Sequence, residues 1–287
     1  PALSDYDGFD YFGYSVDLDL DGDTAIIGAK WGGSPTERGN AFVYTRSGSS
    51  WSLQKTLLGG DIGSETTNFG NSVSLTSDGN IALVSAPTIS SRGAVYTFKR
   101  TGTAWAQTNK FSASNSASSL YYGSGADISG DGFVAVVAAG YEDTTADNSG
   151  AVYVLDGGSF QADWANATER AILDLSYSGG PGRTGGDFFG YGVAVDSGYA
   201  LVAAQAEDTG GTNEGSVFVF HSPGLTGYLL GSATYVQSSP SFSSQDGNPQ
   251  AFLFNDDGTK LYILGDANDK WKVYSLSPAY DITSASY

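Results

Sequence analysis

One pattern recurs along the chain and limits the folds open to it. An aromatic residue followed by glycine opens a short strand four times, as FGYSVDL at Phe12, FGNSVSL at Phe69, YGSGADI at Tyr122 and FGYGVAV at Phe189. The starts lie 57, 53 and 67 residues apart, a length that suits a four-stranded β-meander with variable loops. Each opening strand runs into a turn and then an apolar strand: DGDTAIIGA from Asp21, DGNIALVSA from Asp78, GDGFVAVVAA from Gly130 and DSGYALVAA from Asp196. The Asp-Gly pairs are expected to supply the positive φ angles of two-residue hairpins. A loop and a third strand follow, introduced by Gly39, Gly93, Gly150 or Gly215. In the first two units a fourth strand carries Trp51 and Trp105, which recur 54 residues apart, and recurrence at a matching position argues for packing between units.

A single four-stranded meander cannot bury both of its faces, so neighbouring units must cover them. A radial array does this while leaving only short edges. The expectation is therefore all-β: a β-propeller of about five four-stranded antiparallel blades, with a β-sandwich or β-solenoid of repeats as the alternative. The fifth unit, from Ser241, is written differently but keeps the logic, with AFLF, a DDGT turn, KLYILG and WKVYSL. One domain over 1–287 results, with blades at about 9–60, 61–116, 117–180, 181–240 and 241–287. The 40 glycines and 13% aromatic residues agree with many short strands joined by tight turns.

Charge and composition remove several functions. A net charge of −18 repels a phosphate backbone, so nucleic acid is not an expected partner. Without cysteine there is no disulfide framework, thiol catalysis or Cys-based zinc site. No apolar run approaches the ~20 residues that span a bilayer. The chain has no Met either, which suggests a processed protein or a portion of a longer one.

Units one to four, about Phe12 to Phe220, resemble the FG-GAP repeat family, the blade type of integrin α-chain propellers and of many bacterial surface proteins. The resemblance rests on FGYSV, then AIIGAK or ALVSAP, then GNAFVY or GAVYTF. The unit from Ser241 to Tyr287 is similar to the DGTKLYxLG repeats of tail-associated proteins of marine phages, with FNDDGTKLYILG as the matching core. Together they imply a structural or host-recognition component of a phage virion, in a tail, fibre, neck or capsid appendage. The alternative is a bacterial or archaeal cell-surface adhesin or matrix protein that binds glycans or a protein. The implied partners are other virion or surface-assembly proteins and a host glycan, and the implied location is the virion or the cell exterior.

The FG-GAP family often carries a calcium loop. Here DLDLDGD at Asp17–Asp23 aligns without insertion against SLTSDGN, which leaves no room for that loop and no terminal bidentate acid. The aspartates read instead as the exposed side of a strand that alternates with Leu18 and Leu20. No cofactor is expected, with calcium as the lesser alternative.

Nor is an enzyme expected. The one histidine, His221, stands at a strand end, and no carboxylate pair falls in a recognisable glycosidase pattern. Recognition is expected in the loops between second and third strands, KWGGSPTERGN, GYEDTTADNSG and QAEDTGGTNEG, which a propeller gathers on one face. There Trp31 offers a stacking platform for a sugar, and Glu142, Asp143, Asp147, Glu207, Asp208 and Glu214 could hold a cation or a polar glycan. At the ends, PALSDYDGFD is short and polar, so the last blade is expected to lack a full outer strand of its own, its edge covered by a neighbouring subunit or by chain beyond Tyr287.

Overall fold

The structure is a computed structural model that describes residues 10–33, 38–115, 121–141, 149–158, 164–173, 186–196, 198–206 and 216–221, together with the strands at 234–238, 249–254, 260–265 and 270–275. Apolar and β-branched runs, cut by glycine turns, fold into five antiparallel sheets. The first holds β1 (Phe12–Leu18), β2 (Thr24–Ala29), β3 (Asn40–Ser47) and β4 (Ser50–Leu57), in that order. The second holds β5 (Val73–Leu75), β6 (Ile81–Ala86), β7 (Ala94–Thr101) and β8 (Ala104–Phe111). The third is β9 (Ala126–Ile128), β10 (Val134–Ala139), β11 (Ala151–Asp156) and β12 (Thr168–Leu173). The fourth is β13 (Phe189–Asp196), β14 (Tyr199–Ala204), β15 (Ser216–His221) and β16 (Thr234–Ser238). The fifth has three strands among the described residues: β17 (Pro249–Phe254), β18 (Lys260–Gly265) and β19 (Lys270–Ser275).

The opening strands lie side by side in succession, β1 by β5, β5 by β9, β9 by β13 and β13 by β17. This radial order of meanders is a propeller. It corrects the expected count, since four four-stranded blades stand where about five were expected and the fifth unit shows three strands among the described residues.

Among the described residues each of the first three sheets packs face to face on the next. Ile26, Ala41 and Val43 of the first meet Val73, Leu75, Ala82, Val84 and Tyr96 of the second. Leu83 and Val95 then meet Tyr122, Ala126 and Ile128 of the third, and Val134, Val136 and Val152 meet Phe189, Val202 and Phe218 of the fourth. The small polar residues of the opening strands tie neighbours together. Ser15 Oγ donates to the Gly70 carbonyl at 2.9 Å and Ser72 Oγ to the Ala126 carbonyl at 2.9 Å. In the same way the Leu75 amide donates to Asp17 Oδ2 at 2.7 Å, and the Val195 amide to Asp127 Oδ2 at 2.7 Å.

A second link joins each third strand to the following unit. Gly39 bridges Phe69, Gly93 bridges Tyr122 and Gly150 bridges Phe189, all in parallel sense. Gly39 has φ +89, and a Cβ placed on it would stand 2.1 Å from the Phe69 carbonyl oxygen, so no other residue fits.

Two further local expectations are corrected. In the first three units the hairpin tips are not two-residue turns: the Gly22 amide donates to the Asp19 carbonyl, the Asp19 amide to the Thr24 carbonyl, and only the glycine takes positive φ, +66, whereas in the fourth unit Asp196 pairs with Tyr199 across two residues, as expected. The four residues between Asp19 and Thr24 match the hairpin loops built around a type I turn. The Asp17–Asp23 alternation is also reversed. Asp19 is buried and Asp17 half-buried, whereas Leu18 and Leu20 are 56% and 76% exposed. Asp19 Oδ1 accepts from the Asp23 and Thr24 amides, which fixes the turn, and Asp17 reaches the second sheet, so hydrogen bonding draws the acids inward. The leucines lie on the face that, in every later sheet, a preceding sheet covers.

Candidate functional site

The repeat builds its own mouth. In each unit the residue before the aromatic-glycine pair begins a tight turn: the Tyr14 amide donates to the Tyr11 carbonyl, Asn71 to Asn68, Ser124 to Tyr121 and Tyr191 to Phe188. The first residues of these turns, Tyr11, Asn68, Tyr121 and Phe188, have φ between 50 and 54 although none is glycine. A left-handed conformation at such bulky residues costs of order 1–3 kcal/mol each and persists only where its surroundings enforce it. Here the enforcement is visible. The following Phe69, Tyr122 or Phe189 is fully buried between sheets and its amide is held by Arg38, Arg92 or Ser149 of the preceding unit.

The consequence is that the side chains on either side of each turn gather at one end of the array. They line a cleft of about 380 Å³, a volume at the lower end of the range for small-molecule sites. Tyr14, Tyr121, Tyr141, Phe188 and Tyr191 supply its rings, from the first, third and fourth units. The Tyr121 and Tyr141 rings lie 4.9 Å apart at 47°, and Tyr141 and Phe188 5.5 Å apart at 76°. The four tyrosines remain between 38% and 49% exposed, so part of each ring is open. Asn68, Asn71 and Ser124 are the polar members. Asn71 Nδ2 donates to the Ser124 carbonyl at 3.0 Å, which ties the second unit to the third, and the Ser124 hydroxyl accepts from the Gly140 amide at 3.3 Å. Among the described lining residues there is no carboxylate, imidazole or amine.

Trp31 stands beside this cleft rather than in it. It is half-buried, with its ring edge-on to Tyr11 at 4.6 Å. Lys30 Nζ sits 3.5 Å from the centre of the Tyr14 ring, so cation–π attraction fixes that tyrosine at the rim. Glu142, Asp143, Asp147, Glu207, Asp208 and Glu214 lie outside the described residues. Glu142 and Asp143 follow directly on Tyr141 in sequence. Of the remaining singled-out residues, His221 ends β15 and stacks on Tyr199 at 4.1 Å. Trp105 is 8% exposed and its indole nitrogen donates to Gln54 of the first sheet at 2.7 Å, the interlocking expected of it.

The cleft tyrosines were not singled out by sequence reasoning. Their signal is the aromatic and amide residues flanking the repeated glycine turns, as YFGY, NFGN, YYGS and FFGY.

Comparison with known proteins agrees with this geometry. The FG-GAP repeat model matches residues 2–44, 105–155 and 182–220. No curated protein matches the chain in sequence. Among solved structures, Kuenenia stuttgartiensis hydrazine synthase is similar with a TM-score of 0.57 at 12% identity, over 91% of this chain and 71% of that one. The periplasmic gluconolactonase PpgL of Pseudomonas aeruginosa gives a TM-score of 0.57 at 17% identity, over 93% and 69%. A putative 6-phosphogluconolactonase from Bacteroides uniformis gives 0.52 at 10% identity, over 96% and 83%. At these identities the likeness is one of fold, and enzymes exist within it. The repeat model falls on three of the four aromatic-glycine turns, and the protein is an all-β propeller whose matched segments are similar to FG-GAP repeats.

Proposed function

We propose that the protein is a non-enzymatic structural or host-recognition component of a phage virion, and that it holds a neutral glycan in the aromatic cleft. The observation that supports binding is the lining itself. Open tyrosine faces suit the C–H faces of pyranose rings, and side-chain amides and a hydroxyl suit sugar hydroxyls. A cleft of phenols and amides favours holding a neutral ligand over hydrolysing one, because hydrolysis needs a positioned acid or base.

Placement on a virion is supported by the FNDDGTKLYILG unit, whose sequence resembles repeats of phage tail-associated proteins. The FG-GAP repeats themselves equally suit a bacterial or archaeal surface adhesin, which is the second reading. Immunogold electron microscopy of purified phage particles from a producing culture separates the two. Label at a fixed place on each particle is expected, whereas label confined to cell envelopes would replace the virion reading with the adhesin.

A further inference from the structure

The three contacts among the first four sheets have the same construction, and among the described residues one face of that kind is left open. The row Phe69, Val73 and Leu75 is at most 6% exposed against the first sheet, and Tyr122, Ala126 and Ile128 at most 7% against the second. The equivalent row of the first sheet, Phe12, Val16 and Leu18, is 45%, 66% and 56% exposed, and Leu20 beyond it 76%. Behind this row Phe42, Tyr44 and Ala29 are already packed with Ala25 and Ile27, as half of an interface. Contiguous apolar rows of this kind mark interaction surfaces rather than ordinary monomer surface.

The three internal contacts show what fits there. In each, the row is covered by the second and third strands of a preceding sheet. The fifth sheet is built in the same strand register. Phe254 pairs with Leu261 as Leu75 pairs with Ala82, which aligns Lys260 with Ile81 and, one unit earlier, Thr24. Pairing also sets Tyr262 opposite Val273 and Lys260 opposite Ser275, the register that sets Ile26 opposite Val43 and Thr24 opposite Thr45 in the first sheet. Val273 is 41% exposed there, and Lys260 and Ser275 are exposed with it.

Charge agrees with the fit. Inside the molecule, the position equivalent to Lys260 rests against the next sheet's turn: Thr24 Oγ1 accepts from Arg100 and lies 3.0 Å from where a Cβ on Gly79 would stand. On the open face that turn is Asp19 to Asp23, which carries three carboxylates with Arg46 paired to Asp23 at 2.8 Å. A lysine delivered there meets an acidic turn.

We propose that the open face of the first sheet is a docking surface for a second copy of this chain, which seats its fifth sheet on it, head to tail. Such a contact joins two different surfaces, so it does not saturate at a dimer but lengthens with concentration.

The test is sedimentation velocity of the whole chain over a wide concentration range, with the variants Leu18→Asp and Val273→Asp. The wild type is expected to show a growing series of oligomers that high salt weakens. Each variant alone is expected to sediment as capped species no larger than a monomer, with unchanged circular dichroism because both side chains are exposed. Mixing the two variants is expected to restore a one-to-one dimer, since each has lost only one of the two surfaces. Leu20→Asp, at the most exposed position, replaces Leu18→Asp if that variant does not fold. A wild type that stays monomeric throughout overturns the proposal. So does a Val273→Asp variant that still dimerises while Leu18→Asp does not, which would mean that two first sheets pair with each other, and so does a mixture that stays monomeric.

Discussion

Asp127 gives a pH dependence whose sign can be worked out from its surroundings. It lies on the opening strand of the third unit, half-buried, where Ser74 Oγ donates to Oδ1 at 2.7 Å and the Val195 amide to Oδ2 at 2.7 Å. Burial pushes its carboxyl from the ordinary 3.8 up to about 7, the charge of Asp17 adds to this, and the two hydrogen bonds oppose it. A carboxyl raised in the folded state binds protons better folded than unfolded. Its stabilisation is therefore complete below about pH 4, is lost as pH rises through about 7, and is flat above. At ~1.4 kcal/mol per pH unit the whole interval amounts to ~4 kcal/mol. Solvent reaching a half-buried side chain screens it, so we expect about 1–2 kcal/mol. The perturbation is Asp127→Asn, and the assay is urea unfolding of both proteins in steps from about pH 4 to about pH 8. Other carboxylates titrate in both chains and cancel in the difference. The stability of the wild type minus that of the variant should fall by about 1–2 kcal/mol as pH rises. A flat difference, or one that increases with pH, would refute the assignment of a raised carboxyl to this position.

The two matched tryptophans should differ sharply in the same denaturation assay. Trp105→Ala removes a ring that is 8% exposed and its bond to Gln54, and should cost ~3–5 kcal/mol. Trp51→Ala removes its counterpart on the open first sheet, 36% exposed under Arg46, and should cost less than ~1 kcal/mol. Equal losses would mean that the first sheet is covered in solution by something that also buries Trp51.

What could be read from the sequence was whatever the repeat states locally. The aromatic-glycine pairs marked the opening strands, because Phe69, Tyr122 and Phe189 are buried between sheets in every unit that has a predecessor. Gly39, Gly93 and Gly150 marked the third strands, because each backbone passes too close to the next unit for a side chain. What could not be read depended on having or lacking a neighbour. Alternation at Asp17 to Leu20 fixes which residues share a face but not which face is covered, and the open first sheet reversed the expectation. The cleft was missed for a related reason. Tyr121 and Phe188 look like strand aromatics, and only a left-handed backbone at those positions turns them from the core to the mouth.

The central claim is that the cleft between Tyr14, Tyr121, Tyr141, Phe188 and Tyr191 binds a neutral saccharide. The direct measurement is binding of the whole chain to an array of neutral and charged bacterial surface glycans, repeated with Tyr141→Ala. Tyr141 is 42% exposed, so its removal should leave the melting temperature nearly unchanged. The account predicts selective capture of neutral glycans by the wild type and a roughly fivefold weaker signal for the variant, since ring contacts of this kind contribute about 1 kcal/mol each. Capture that is undiminished in Tyr141→Ala, or confined to charged glycans, would contradict it.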